Sequence, residues 1–391
     1  MGAGSVRIHN ATDPGQDAVT PRAARLEPQV EAYLVLGSPE LPHSDQPTAT
    51  GPVILAHLGA QRGTAPQATV VHRWSQSTTP PLGGHLAGHL AVRTGHAGPA
   101  VPLWIVHVGP AGLHAYALVR ADAEWGLFTR ITATPVAVGA SGVEGLAWLA
   151  GVVGAHRLHG PVLDNHNRAW TKAHPGYELE VKYTVTGADP WTLATDLHAR
   201  IGAGEVAGLM LKPGDGLQKW ASTNHLFEIT GPPPEAGYVS FAPGDGGRTL
   251  IKRKWFTEDA RLRREHLDVL RLDLPYEQHV RGVLGLTDMI EHPPFHRYRL
   301  DVNAEFTDTG NWFSIICDRV QPAGNARQLR QVEIEYCGTR GIFAPDEHAV
   351  GEQFDRLTNW VGQILRHHGA HSEPGHYSKL SFLRDLAGTP N

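Results

Sequence analysis

Residues 177–185, Tyr-Glu-Leu-Glu-Val-Lys-Tyr-Thr-Val, constrain the fold more than any other stretch of this chain. On a β-strand successive side chains point to opposite faces. Glu178, Glu180, Lys182 and Thr184 then share one face, and Leu179, Val181, Tyr183 and Val185 share the other. Two carboxylates and an ammonium in a row, backed by a core-facing apolar side, are costly unless something solvates them. A metal ion and a polyanion would do so together, which points to phosphate handling.

The alternation recurs further along. In Thr249–Phe256, Lys252 and Lys254 share a face. In His296–Phe306, Arg297, Arg299, Asp301, Asn303 and Glu305 line one side, opposite Tyr298, Leu300, Val302, Ala304 and Phe306. In Gln331–Cys337, Glu333 and Glu335 face one way, and Val332, Ile334 and Tyr336 the other. Any one of these could be a sheet with one solvated face, a common arrangement. The segregation of the charges argues against that. Acidic pairs open and close the series, and basic pairs fill its middle. Such an order suits a closed barrel whose polar lumen holds a divalent cation on one side and phosphates on the other. Mg²⁺ takes carboxylate and phosphate oxygens, and Lys and Arg bind phosphate as a point charge and as a planar fork.

At 391 residues the chain has room for two or three domains, and with 41% hydrophobic residues it can build real cores. A formal net charge of -5 argues against a general nucleic-acid binder. The two cysteines, Cys317 and Cys337, exclude a disulfide scaffold and a cysteine-rich metal site, and read as buried free thiols in strands. The N-terminus lacks the pattern of a signal peptide, and no stretch of about 20 residues is apolar enough to span a bilayer. The expectation is a cytoplasmic protein without a membrane.

Residues 1–25 are small and polar and are expected to be disordered. From 26 to 160, short β-like runs such as Glu31–Leu36, Ala68–Trp74, Val101–Val108 and Leu113–Val119 predict a mixed, mainly β domain. Residues 161–176, with Asp164-Asn165-His166-Asn167, read as a linker, and 177–391 as the domain of charged strands. Asp189-Pro190 opens a helix running to Ile201. Residues 257–271 read as a charged helix. Val350, Phe354, Leu357, Val361 and Ile364 mark the core stripe of a helix from Pro345 to His368. His85 and His89 lie four apart, but three glycines in that stretch disfavour a zinc-binding helix. No Walker loop, dinucleotide glycine motif or Gly-x-Ser-x-Gly elbow is present.

The ordered set Glu178-x-Glu180-x-Lys182, Lys252-x-Lys254, Arg297-x-Arg299, Asp318 and Glu333-x-Glu335 resembles the signature of the CYTH superfamily, the triphosphate tunnel metalloenzymes, over roughly residues 174–386. Lys379, in Tyr377-Ser378-Lys379, resembles a C-terminal lysine of some relatives. The resemblance implies an α+β protein with an eight-stranded antiparallel tunnel and flanking helices. It implies that Glu178, Glu180, Glu333 and Glu335, with Asp318, hold Mg²⁺ or Mn²⁺. Lys182, Lys252, Lys254, Arg297, Arg299 and Lys379 would bind the phosphates. Glu178, Glu180, Lys182, Glu333 and Glu335 would carry the chemistry, with Lys182 as clamp rather than base, since neighbouring carboxylates favour its ammonium form. The family's Arg-x-Arg strand after the first helix has no counterpart, as Lys212 and Lys219 are the only Lys or Arg residues between Ile201 and Tyr238. Its Arg-x-Glu feature is met only loosely, by Arg263, Arg264 and Glu265 on the expected helix.

The expected function is metal-dependent hydrolysis of a small organic or inorganic di- or triphosphate, with a homodimer allowed. Two alternatives stay open: a lyase or cyclase that expels pyrophosphate, and a non-catalytic polyphosphate or nucleotide sensor.

Overall fold

The structure, a computed structural model, describes residues 29–37, 54–62, 67–73, 101–121, 125–163, 170–370 and 373–388. The expected disordered segment 1–25, the pair His85 and His89, and the Asp164–Asn167 run lie outside these residues. The chain divides into two compact units.

The first unit holds strands β1 (Gln29–Gly37), β2 (Ile54–Arg62), β3 (Thr69–Arg73), β4 (Val101–Gly109), β5 (Gly112–Ala121) and β6 (Trp125–Arg130), in the sheet order β2-β1-β4-β5-β6-β3. Helix α1 (Leu149–Leu163) packs through Val152, with Trp148 just before it, on Trp104, Val106, Leu113, Ala115 and Ala117. The β4–β5 turn depends on Gly112, whose φ of +120° suits glycine and whose position would set a Cβ 2.6 Å from the Val136 carbonyl oxygen. That close approach lets Leu113 and Val136 bridge. The two-residue strand β7 (Trp170–Thr171) also belongs to this unit.

The second unit is built on β8 (Tyr177–Thr184), β9 (Leu209–Leu211), β10 (Leu217–Ile229), β11 (Gly237–Pro243), β12 (Arg248–Trp255), β13 (Leu262–Arg271), β14 (Met289–Glu291), β15 (Phe295–Phe306), β16 (Asn311–Pro322), β17 (Leu329–Arg340) and β18 (Pro374–Gly375). Eight of them close an antiparallel barrel in the order β10-β11-β12-β13-β8-β17-β16-β15 and back to β10. The ring closes because β10 is long enough to serve both neighbours. Its residues 217–224 pair with β15 and its residues 225–229 with β11. The expected eight-stranded tunnel is therefore present.

The barrel turns its apolar face outward and covers it. Helix α2 (Pro190–Gly202) buries Leu193, Leu197 and Ile201 and packs on β16. Its cap is Asp189, which accepts from the Trp191 and Thr192 amides at 3.0 and 3.1 Å. Helix α3 (Glu347–His367), capped by Asp346, buries Val350, Phe354, Leu357, Val361 and Ile364, the stripe expected from the sequence. Tyr183, on the outer face of β8, donates its hydroxyl to the Thr358 carbonyl of α3 at 2.8 Å. The helical turns Tyr276–Gln278 and His279–Val283 cover Phe227, Val239 and Phe241 on β10 and β11.

Two expectations fail. Residues 262–271 form strand β13, not a helix. Charged side chains occupy both of its faces and hide the period of two, while its composition favours helix. A further helix, α4 (Lys379–Gly388), follows the one expected to be last. Its Leu380, Phe382 and Leu383 pack against Leu226, Tyr238, Phe295, Val320 and Leu329. Leu226, Tyr238 and Phe295 also line the barrel cavity, so α4 stoppers one end of the tunnel. Each of its three buried side chains contributes about 1.5–3 kcal/mol of burial energy. β18 leads into α4 by pairing with β8 at Lys182 and Tyr183. Among the described residues no helix is long and apolar enough to cross a membrane.

Candidate active site

Alternation places the ionic faces of the strands inside the barrel. On β8 and β17, Lys182 lies directly opposite Glu333 and Glu180 opposite Glu335. Arg263 of β13 pairs across to Glu178, and Glu265 lies opposite Lys254 of β12. Arg299 of β15 faces Asp318 of β16. Lys379 enters from the first turn of α4. Glu178, Glu180, Lys182, Lys252, Lys254, Arg297, Arg299, Glu333, Glu335 and Lys379 all line one cavity of about 70 Å³. Asp318 lies beneath Arg297 and Lys379. Every site residue named from the sequence is thus brought to one place.

The cavity is narrow because its charges are paired across it. Lys182 reaches Glu180 and Glu333 at 2.7 Å each. Lys254 pairs with Glu178 and, at 3.3 Å, with Glu180. Lys252 lies 2.9 Å from Glu265 and 3.4 Å from Glu178. Arg263 holds Glu180 and stands 3.8 Å from Glu178. At the stoppered end, Arg297 and Lys379 share Asp318 at 2.6 and 2.9 Å, and Lys379 also reaches Glu333 at 2.6 Å. Arg299 pairs with Asp301. Glu335 alone of the cavity carboxylates makes no ion pair among the described residues.

Protonation follows from this wiring. Burial alone would raise Glu178, but Lys254, Lys252, Lys182 and Arg263 hold it well below the ordinary carboxylate range. Burial likewise opposes, and Lys182, Lys379 and Arg297 reverse, the shift at Glu333, which also ends well below. Glu335 goes the other way: burial and the Glu178 charge push it up. Burial lowers Lys379 to about 8 despite Asp318 and Glu333. The two lysines of β12, Lys252 and Lys254, are held charged by Glu178 against their burial.

Sequence reasoning missed two lining features. Arg263 and Glu265 lie on a strand and project inward, so the cationic lining is fuller than expected. The Lys252–Lys254 pair was the available signal, since adjacent lysines on an inner face call for carboxylates on the next strand. The second is β10. Register sets Trp220 opposite Arg299 and Ser222 opposite Arg297, while Asn224 lines the cavity. The strand where an Arg-x-Arg pair was sought therefore exists, and from Trp220 to Leu226 its inner face is neutral; its one inner carboxylate there, Glu228, pairs with Arg384 of α4.

The donor set is all carboxylate oxygen, which suits a hard divalent cation. Glu335 fits such an ion best, being without an ion pair, raised by burial and by the Glu178 charge, and directly opposite Glu180. Among the described residues, however, no group of three or more His, Cys, Asp or Glu side chains is gathered into a metal site. Asp318 and Glu333 are engaged with Arg297 and Lys379 at the far end of the lining.

No family model and no curated protein matches this chain. Solved structures similar to it include the Hippeastrum protein HpAC1, described with a dominant triphosphatase activity, at 11% identity and a TM-score of 0.33, covering 54% of this chain and 96% of that one. Others are the S. pombe Pct1 RNA triphosphatase in complex with the Spt5 CTD, at 11% identity, a TM-score of 0.23, and 61% and 91% coverage, and Pct1 itself, at 12%, 0.25, and 57% and 93%.

Proposed function

We propose that this chain is a CYTH-type tunnel enzyme, a metal-dependent phosphohydrolase acting on a small organic or inorganic di- or triphosphate. The observation that carries the reading is the closed barrel whose inner wall interleaves Glu178, Glu180, Glu333 and Glu335 with Lys182, Lys252, Lys254, Arg263, Arg297 and Arg299. A structural sheet has no need to bury so many ionic side chains, because apolar replacements of buried pairs are often neutral or stabilising.

Glu335, with Glu180 and Glu178, would hold Mg²⁺ or Mn²⁺, which when bound polarises phosphoryl oxygens and acidifies water. Glu335 is free for this role, whereas Glu178 and Glu180 must give up Lys254 and Arg263. Those released cations then face the entering phosphates. Carboxylates and cations would then exchange partners, the former taking the metal ion and the latter the phosphates, so that neither is left buried and unpaired. Lys182, Lys252, Lys254, Arg263, Arg297 and Arg299 orient the phosphate chain and stabilise charge on the transferring group, the main protein contribution in phosphoryl transfer. Lys379 grips the phosphate nearest the stopper.

Release of orthophosphate and of pyrophosphate from a panel of di- and triphosphates, with Mg²⁺ or Mn²⁺, tests the reading beside Glu178→Ala and Glu335→Ala. Metal-dependent orthophosphate release lost in both variants is expected. Pyrophosphate without orthophosphate would replace hydrolysis by a lyase or cyclase reaction. Polyphosphate binding without turnover that survives both substitutions would make the chain a sensor.

A further inference from the structure

The end of the tunnel away from α4 differs from its charged throat. Trp220 lies on the inner face of β10, directly opposite Arg299, and is 54% exposed. It makes no ring contact or hydrogen bond among the described residues. On the inner faces of β12 and β13, Leu250 pairs with Val269 and Lys252 with Leu267. These apolar side chains are exposed too, at 39% for Leu250, 57% for Val269 and 46% for Leu267. Leu250 also lines the charged cavity, so the apolar rim is continuous with it. An aromatic ring and three aliphatic side chains held in water at a site entrance are costly, and a barrel needing only a polar lumen has no use for them there. Deeper than Trp220, the inner face of β10 carries the neutral Ser222 and Asn224, level with Arg297 and Phe295.

We propose that Trp220, with Leu250, Leu267 and Val269, forms an apolar collar that seats an aromatic group esterified to a polyphosphate. The collar determines specificity: it favours aryl-bearing polyphosphate monoesters over bare inorganic polyphosphate. This rests on the reading of the throat as a polyphosphate site. The phosphates occupy the cationic throat, and the aromatic group stacks on Trp220, which every π-faced ring can do. Ser222 and Asn224 add no cation on the β10 side of the throat, so the bound chain needs less phosphate charge there than a pair of arginines would demand.

The test is equilibrium binding to the full chain of three probes, inorganic tripolyphosphate, an n-butyl triphosphate and a nucleoside 5′-triphosphate, for wild type, Trp220→Ala, Trp220→Phe and Lys252→Ala/Lys254→Ala. Wild type is expected to bind the nucleotide about tenfold or more tighter than tripolyphosphate, with the butyl ester between. Trp220→Ala should erase the nucleotide's advantage and leave tripolyphosphate within twofold, while Trp220→Phe keeps most of it. Equal or tighter binding of tripolyphosphate by wild type would overturn the collar and leave the throat intact. So would a Trp220→Ala loss shared equally by all three probes. If no probe binds, or the double lysine variant binds all three unchanged, the throat reading fails and the collar with it.

Discussion

The two sheets of this chain treat buried titratable groups in opposite ways. In the first unit, His107 of β4 and Tyr116 of β5 lie with ring centroids 4.9 Å apart, His107 being 9% exposed and Tyr116 wholly buried. Burial lowers His72 and His107 to about 4 and raises the Tyr116 hydroxyl. These groups are neutral near pH 7. In the barrel, Glu178, Glu333, Lys252 and Lys254 are held charged against their burial because each meets opposite charges. Burial alone switches charge off; burial in pairs stores it. Only the second arrangement can hand cations to a phosphate.

Breaking one stored pair should have the largest effect. Lys254→Met leaves Glu178 with weaker partners and is expected to cost about 3–5 kcal/mol of barrel stability, measured by denaturant unfolding. Glu178→Gln/Lys254→Met should regain at least half of that, because neither charge is then stranded. A single-variant loss below about 1 kcal/mol would mean that the pair is solvated, and the contrast between the sheets would collapse.

The neutral groups of the first unit give the next effect. The folded pKa values of His72 and His107 lie below the unfolded value, so their contribution is complete above about pH 6.5 and is lost as pH falls toward 4. Each is worth about 3 kcal/mol once fully lost. Hydrogen exchange of the β4 and β5 amides should show protection falling across that window, and His107→Phe should remove part of the slope. A flat profile would show that both histidines take up their protons at the ordinary value, and that burial does not hold them neutral.

What could be read from the sequence follows the same contrast. Strands with one clean ionic face, such as β8, β15 and β17, announced both their fold and their inward residues, because alternation survives in them. β13 did not. Arg263, Arg264, Glu265 and His266 put charge on both faces, and only pairing with β12 decides which side is the lumen. The inner face of β10 was equally silent, since Trp220, Ser222 and Asn224 carry no charge to mark it. The stopper helix α4 is short, and its apolar residues acquire meaning only once a barrel end exists to receive them. Ion-pair partners were beyond reach for a related reason: they depend on which strands close the ring.

Backbone geometry offers a smaller lever on the stored charges. Gly237 starts β11 at φ +137°, and a Cβ there would run into the Lys254 carbonyl oxygen. Gly237→Ala is expected to cost about 1–3 kcal/mol and to shift β12 under Lys254. Reduced tripolyphosphate affinity alongside lower stability would tie the stored pair to this close approach. Lower stability with unchanged affinity would separate them.

Lys379 gives the smallest and most selective effect, because it belongs to both regimes. It is paired with Asp318 and Glu333, yet burial still lowers it to about 8. Its folded pKa lies below the ordinary lysine value, so it loses its proton near pH 8 while Lys252 and Lys254, raised by Glu178, keep theirs. A phosphate ligand needs that proton. Tripolyphosphate binding should therefore weaken several-fold as pH rises from 7 to 9 in wild type, relative to Lys379→Arg, whose guanidinium stays charged throughout. Titration of the ligand itself is common to both proteins and cancels in the ratio. A constant ratio across that range would place Lys379 wholly among the stored charges, with the stopper helix contributing packing and no titrating contact to the bound phosphates.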